Sequence, residues 1–170
     1  PEARTAASKL EARSSEMAGG ESAYQGKATA IMGLEIEAAF DAQRGEYDSA
    51  IELMKKALAI EAVMSPPSGP PEVIKPPREL YGEILLAGGR AKEAEEQFDS
   101  SLMREPNRAR SLIGKARSAA RSEDRAGAFD AYKEFLKIWD QADSGLAEVK
   151  EAAAFLSHGL LSPGERAGTK

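Results

Sequence analysis

The sequence predicts an all-α protein: antiparallel helix pairs stacked side by side and closed by a final helix. Three observations predict it. Apolar residues recur three and four apart through most of the 170 residues, the period of a helix that buries one face. The breaks between these stretches are short and carry helix-stop residues, so successive helices must lie antiparallel. Ala94 and Phe98 recur as Ala128 and Tyr132, thirty-four residues on, the length of one helix pair in a repeat array.

From the N-terminus, residues 1–20 read as a helical arm whose only large apolar residues are Leu10 and Met17, closed by Gly19-Gly20. Residues 21–64 read as a first, degenerate helix pair turning at Gly45, with Ala50, Ile51, Met54, Ala57 and Leu58 as the stripe of its second helix. Residues 65–77 hold six of the nine prolines; Pro fixes φ and lacks a backbone donor, so this stretch is expected as an extended linker. Residues 78–142 read as two further pairs, with stripes Ala94, Phe98, Leu102 and Ala128, Phe129, Tyr132, Phe135, Leu136, Trp139. Gly88-Gly89, Pro106-Asn107 and Ser122-Glu123-Asp124 mark their turns. Residues 143–160 read as a capping helix, with Leu146, Val149, Ala153, Leu156 and Leu160 inward and Glu148, Lys150 and Glu151 outward. Residues 161–170 read as a disordered tail.

Composition removes several classes of function. The net charge of −5 argues against a nucleic-acid partner, because a basic surface is needed to displace counterions. No apolar run is long enough for a membrane span. Cys is absent and His158 is the only His, which leaves no thiolate chemistry and no His-rich metal site. His158 is expected near a helix C-terminus, where a cation suits the dipole. No Gly-rich phosphate loop is present, and no cofactor is expected. The chain begins at Pro1 without Met and reads as a fragment or processed product.

The register extends beyond the two pairs. Gly82, Ala94, Phe98 and Pro106 are spaced by twelve, four and eight residues; Ala116, Ala128 and Tyr132 repeat the first three; and Ala38, Ala50 and Met54 keep the same spacing. This pattern resembles the tetratricopeptide repeat (TPR) family, in a bacterial-type form, over about Ile31 to Gln141. The resemblance implies a right-handed superhelical α-solenoid in which Gly82 or Ala116 on the first helix of a pair faces Ala94 or Ala128 on the second. It implies a non-catalytic scaffold whose concave groove, lined by the first helices, takes a peptide or protein partner.

Projected on this chain, the groove residues are Glu35, Ala39 and Gln43 from the first pair and Glu79, Glu83 and Leu86 from the second. The third pair supplies Arg110, Ile113, Arg117 and Arg121. The three arginines share one helix face and suit a carboxylate or another anion; alternatively they are solvated or pair with Glu79 and Glu83. The Lys/Asn/Arg clamp of chaperone-binding members is absent, since Glu35 and Ala39 stand at its first positions. A second reading is a self-assembling module within a longer repeat array. A third, a carboxylate-based hydrolase, requires a water-excluding cleft with convergent acids.

Overall fold

The structure, a computed structural model, describes residues 2–17, 23–64 and 75–160. The described residues are entirely helical, without strands: α1 (Glu2–Glu16), α2 (Ala23–Gln43), α3 (Tyr47–Ala62), α4 (Pro77–Ala87), α5 (Ala91–Arg104), α6 (Ala109–Arg121), α7 (Arg125–Ile138) and α8 (Ala147–Leu160). No helix among them is long and apolar enough to cross a membrane. They fall into two compact units, Pro1–Arg90 and Ala91–Lys170.

In unit 1, α1 packs on α2, α2 on α3, and α4 on both α2 and α3. Small residues allow the close approaches: a Cβ on Gly33 would already touch the backbone of Ala7 and Leu10 Cβ on α1, at 3.5 and 3.6 Å. Ile31, Ala38, Ala50, Ile51, Met54, Ala57 and Leu85 are buried between the helices. Leu58 of the expected α3 stripe is only half-buried, whereas Glu61 further along α3 is buried. Most of the expected linker lies outside the described residues, but its end does not. Pro76 is the N-cap of α4 and Pro77 its first residue, the one helical position where a missing N–H costs nothing.

In unit 2, α5 packs on α6, α6 on α7 and α7 on α8. Ala116 and Ala128 are fully buried in one apolar cluster with Leu112, Ile113, Tyr132 and Phe135. Phe98 is fully buried as well, and its ring lies so close to Gly114 that a Cβ there would overlap it. The paired Ser101 and Ser111 hydroxyls, 3.0 Å apart, satisfy each other inside α5–α6. The stripe of α8 follows the sequence expectation at Val149 and Leu156 and departs from it at Ala153 and Leu146; the Leu160 side chain lies outside the described residues. Ala152 is fully buried and Val149, Phe155 and Leu156 pack on the cluster, while Ala153 is exposed and Leu146 is 39% exposed. Leu146 precedes the first turn of α8, so it is a poor guide to the helix's phase. The tail from residue 161 lies outside the described residues.

The turns share one backbone device. Gly45 and Gly89 adopt left-handed φ of 78° and 81°, and Glu123, thirty-four residues after Gly89, adopts 66°. A Cβ makes this conformation costly. Glu123→Gly is therefore expected to stabilise unit 2 by up to about 1 kcal/mol, read as a higher urea midpoint at unchanged slope; an unchanged or lower midpoint counts against strain at this turn.

Candidate partner-binding faces

In unit 1 the sequence-derived groove residues gather around a charged cluster. Glu79 on α4 is completely buried, and Glu35 on α2 is 7% exposed. Glu61 from α3 joins them, and Glu83 lies one turn along α4 from Glu79, half-buried. Lys75 and Arg78 lie among these acids. Lys75 Nζ, just before the α4 cap, donates to Glu83 Oε2 at 2.6 Å and lies 3.9 Å from Glu79 Oε1. Arg78 Nε lies 3.1 Å from Glu61 Oε2, an ion pair without good hydrogen-bond alignment.

Glu35 is the odd member. Its Oε1 is buried and has no hydrogen-bond partner among the described residues. Burial pushes its carboxyl up from 4.5 to about 8; Lys75 opposes the rise and Glu61 adds to it. Desolvation thus outweighs the nearby ammonium, and Glu35 holds a proton at neutral pH. Gln43 is exposed at the end of α2, whereas Leu86 is buried and belongs to the core. The projection places Glu35, Glu79 and Glu83 in one neighbourhood, yet the first two sit beneath the surface. The sequence reading missed Glu61, Lys75 and Arg78, although Lys75 and Glu79 are four residues apart, the spacing of a pair on one helix face.

In unit 2 the arginine stripe has an internal partner. Arg117 grips Glu151 of α8 with two parallel bonds, Nε to Oε1 at 2.9 Å and Nη2 to Oε2 at 2.6 Å. The Tyr132 hydroxyl donates to the same Oε1 at 2.7 Å. Arg117, and more weakly Tyr132, hold the Glu151 carboxyl below its ordinary range against the opposing effect of burial. Burial and the Glu151 bond raise the Tyr132 phenol. Glu151, expected on the outer face of the last helix, thus points inward. Ile113 is 5% exposed and belongs to the core, while Arg110 and Arg121 are exposed. A separate acidic cleft runs along α5 and the α6–α7 turn, lined by Glu95, Glu96, Asp99, Glu123 and Asp124. Among the described residues no group of three or more acidic or imidazole side chains is placed to hold a metal ion.

No protein-family model matches the chain, and no curated protein sequence does. A solved structure does: the TPR domain of Sgt2 from Aspergillus fumigatus, with a TM-score of 0.63 and 19% identity, over 82% of this chain and 84% of that one. The fold is that of a TPR domain. The likeness is to a fungal protein and lends nothing to the bacterial-type expectation. On the TPR fold the twelve-residue steps from Ala38 to Ala50 and from Ala116 to Ala128 acquire a physical meaning. All four alanines are 0% exposed, and their size sets how closely the helices of a pair approach.

Proposed function

We propose that this TPR-fold chain is a non-catalytic scaffold that binds a peptide or protein through the faces of its first helices, α2 and α4 in unit 1 and α6 in unit 2. One observation carries the reading. The first helices group charged side chains of one sign within each unit: Glu35, Glu79 and Glu83 in unit 1, and Arg110, Arg117 and Arg121 along one face of α6 in unit 2. A catalytic reading has less support. Lys75 bonds Glu83, and Glu79 and Glu61 lie in ion-pair range of Lys75 and Arg78, an arrangement of paired charges with no convergent acid–base couple.

The test is selection of peptides from a random library on the immobilised full chain, followed by hydrogen exchange with and without the selected peptide. Protection is expected to appear on α2 and α4, or on α6. Protection confined to α3, α5 or α7, or failure to recover any binding peptide, overturns the proposal. Concentration-dependent sedimentation without peptide capture favours the self-assembling alternative.

A further inference from the structure

We propose that this chain associates with copies of itself through two unlike faces: the uncovered face of α8 on one copy pairs with the uncovered face of α1 on the next, and together they complete a helix pair. The contact is independent of the scaffold reading and uses different faces of the helices.

The repeat register points to α8 first. Arg117 and Glu151 lie thirty-four residues apart and hold the same place on α6 and α8, so α8 stands as a further first helix. Each earlier first helix hides one face under the second helix of its own pair. On that face Ala38, Gly82 and Ala116 are all buried, and Lys150, which takes their place on α8, is exposed. Asp41, Leu85 and Ala119 are buried in the same way, and their counterpart Ala153 is exposed. Leu112 and Ile113 lie in the core of α6, whereas their counterparts are open: Leu146 is 39% exposed against 1% for Leu112, and Ala147 is exposed too. α8 meets unit 2 through another face, with Ala152, Phe155 and Leu156 in the apolar cluster. Among the described residues nothing covers the face of Leu146, Ala147, Lys150 and Ala153.

α1 is the complementary half. Gly33 approaches Leu10 on α1 where Ser111, in the same place on α6, meets Ser101 on α5. α1 therefore packs on α2 as a second helix packs on the first helix that follows it. Its Ala6 takes the place of Leu53, Gln97 and Ala131. Leu53 lines a cleft with Phe40 of α2, so this position looks back toward the first helix of its own pair. Ala131 is buried and Leu53 and Gln97 are half-buried, whereas Ala6 is exposed. The two faces also match in charge. Within a pair Ala116 faces Ala128, and Ile113 and Ala131, each three residues further from the turn, share one buried cluster. The same registration sets Ala147 against Ala6 and brings Lys150 beside Glu2, where an ammonium meets a carboxylate and the lysine stem covers apolar surface. One helix on one helix is a small interface, so the expected dissociation constant is about 0.1 mM. Because the two faces differ, the contact builds rings or open chains of copies and not a two-fold dimer.

The experiment is sedimentation equilibrium of the full chain from about 10 µM to about 1 mM. The weight-average mass is expected to climb past that of a dimer at the upper end. Ala6→Glu blocks the α1 face and Ala153→Glu the α8 face, and each variant alone is expected to associate at least about tenfold more weakly. An equimolar mixture of the two retains one good face of each kind. It is expected to recover a dimer and to stop there. Lys150→Glu is expected to weaken association about two- to fivefold, and adding Glu2→Lys to the same chain to restore it. Each variant is first checked for an unchanged urea midpoint; Ala6→Lys and Ala153→Lys replace any glutamate variant that fails this check. A wild-type chain that stays monomeric over the whole range overturns the proposal. So does an Ala6→Glu chain that associates as well as wild type, which would mean that α8 pairs with itself. A mixture as monomeric as its components, or a charge swap that restores nothing, overturns the pairing of α8 with α1.

Discussion

Between about pH 5 and pH 8 the wild-type chain is expected to lose stability in unit 1, while Glu35→Gln keeps its stability nearly constant. The folded chain retains on Glu35 a proton that the unfolded chain releases near 4.5, and gives it up only near 8. The contribution is therefore complete below the unfolded value and drains away as pH rises through the folded one. The slope from this group is about 1.4 kcal/mol per pH unit, and the whole effect is on the order of 4 kcal/mol. Glu61 and Lys75 act on Glu35 from α3 and from the start of α4, in opposite directions, and burial exceeds both. Glu151 works the other way in unit 2: its lowered carboxyl contributes stability above the ordinary carboxylate range and loses it only in acid. The units can be followed separately. Amide exchange along α2 reports unit 1, and Trp139, the single Trp of the chain, reports unit 2 by its fluorescence. A wild-type α2 whose protection does not fall between pH 5 and 8, or a Glu35→Gln variant that falls in parallel with it, would sink the assignment of a buried protonated acid.

The second large effect lies at the contact between α5 and α6. Phe98→Ala is expected to cost unit 2 about 3–5 kcal/mol, since it empties a fully buried ring site. Gly114→Ala is expected to cost about 1–3 kcal/mol, because the new methyl would overlap the Phe98 ring. The two are expected to couple: with the ring gone, the methyl at 114 enters space already vacated. The double variant should therefore be more stable than the sum of the single losses predicts, by about 1 kcal/mol or more. Urea unfolding followed through Trp139 measures all three. Strict additivity would show that the ring and Gly114 do not share the contact.

The helices and their period were legible in the sequence because burial here is periodic and the spacer between helices is short. Ala94, Phe98, Ala128 and Tyr132 sit in the core where the thirty-four-residue register puts them. What periodicity could not fix was depth. Glu35 and Glu79 are polar letters at positions assigned to an open face, yet both are buried, because that depends on how α4 lies over α2 and α3. In α8, Val149 and Leu156 pack as their spacing predicts, but Leu146 lies before the helix begins, and the buried alanine is Ala152 rather than Ala153, with Glu151 beside it reaching Arg117. Gly114 went unnoticed for a related reason. A helical side chain covers a spot displaced from its own Cα, so the residue beneath a ring cannot be named from spacing alone. The Arg117–Glu151 pair joins residues thirty-four positions apart on separate helices, and nothing local announces it.

The left-handed turn residues have a consequence for how such chains drift. Gly45, Gly89 and Glu123 reverse the chain with nearly the same backbone angle, although the last has a side chain that opposes it. A turn of this kind can lose its glycine for roughly the cost of one strained residue, about 1 kcal/mol, and keep its shape. Ancestral repeats are therefore better traced by comparing dihedral angles at a fixed interval than by comparing letters. By that measure the turn at Glu123 keeps the left-handed reversal of the one at Gly89, thirty-four residues before it, although its letter has changed.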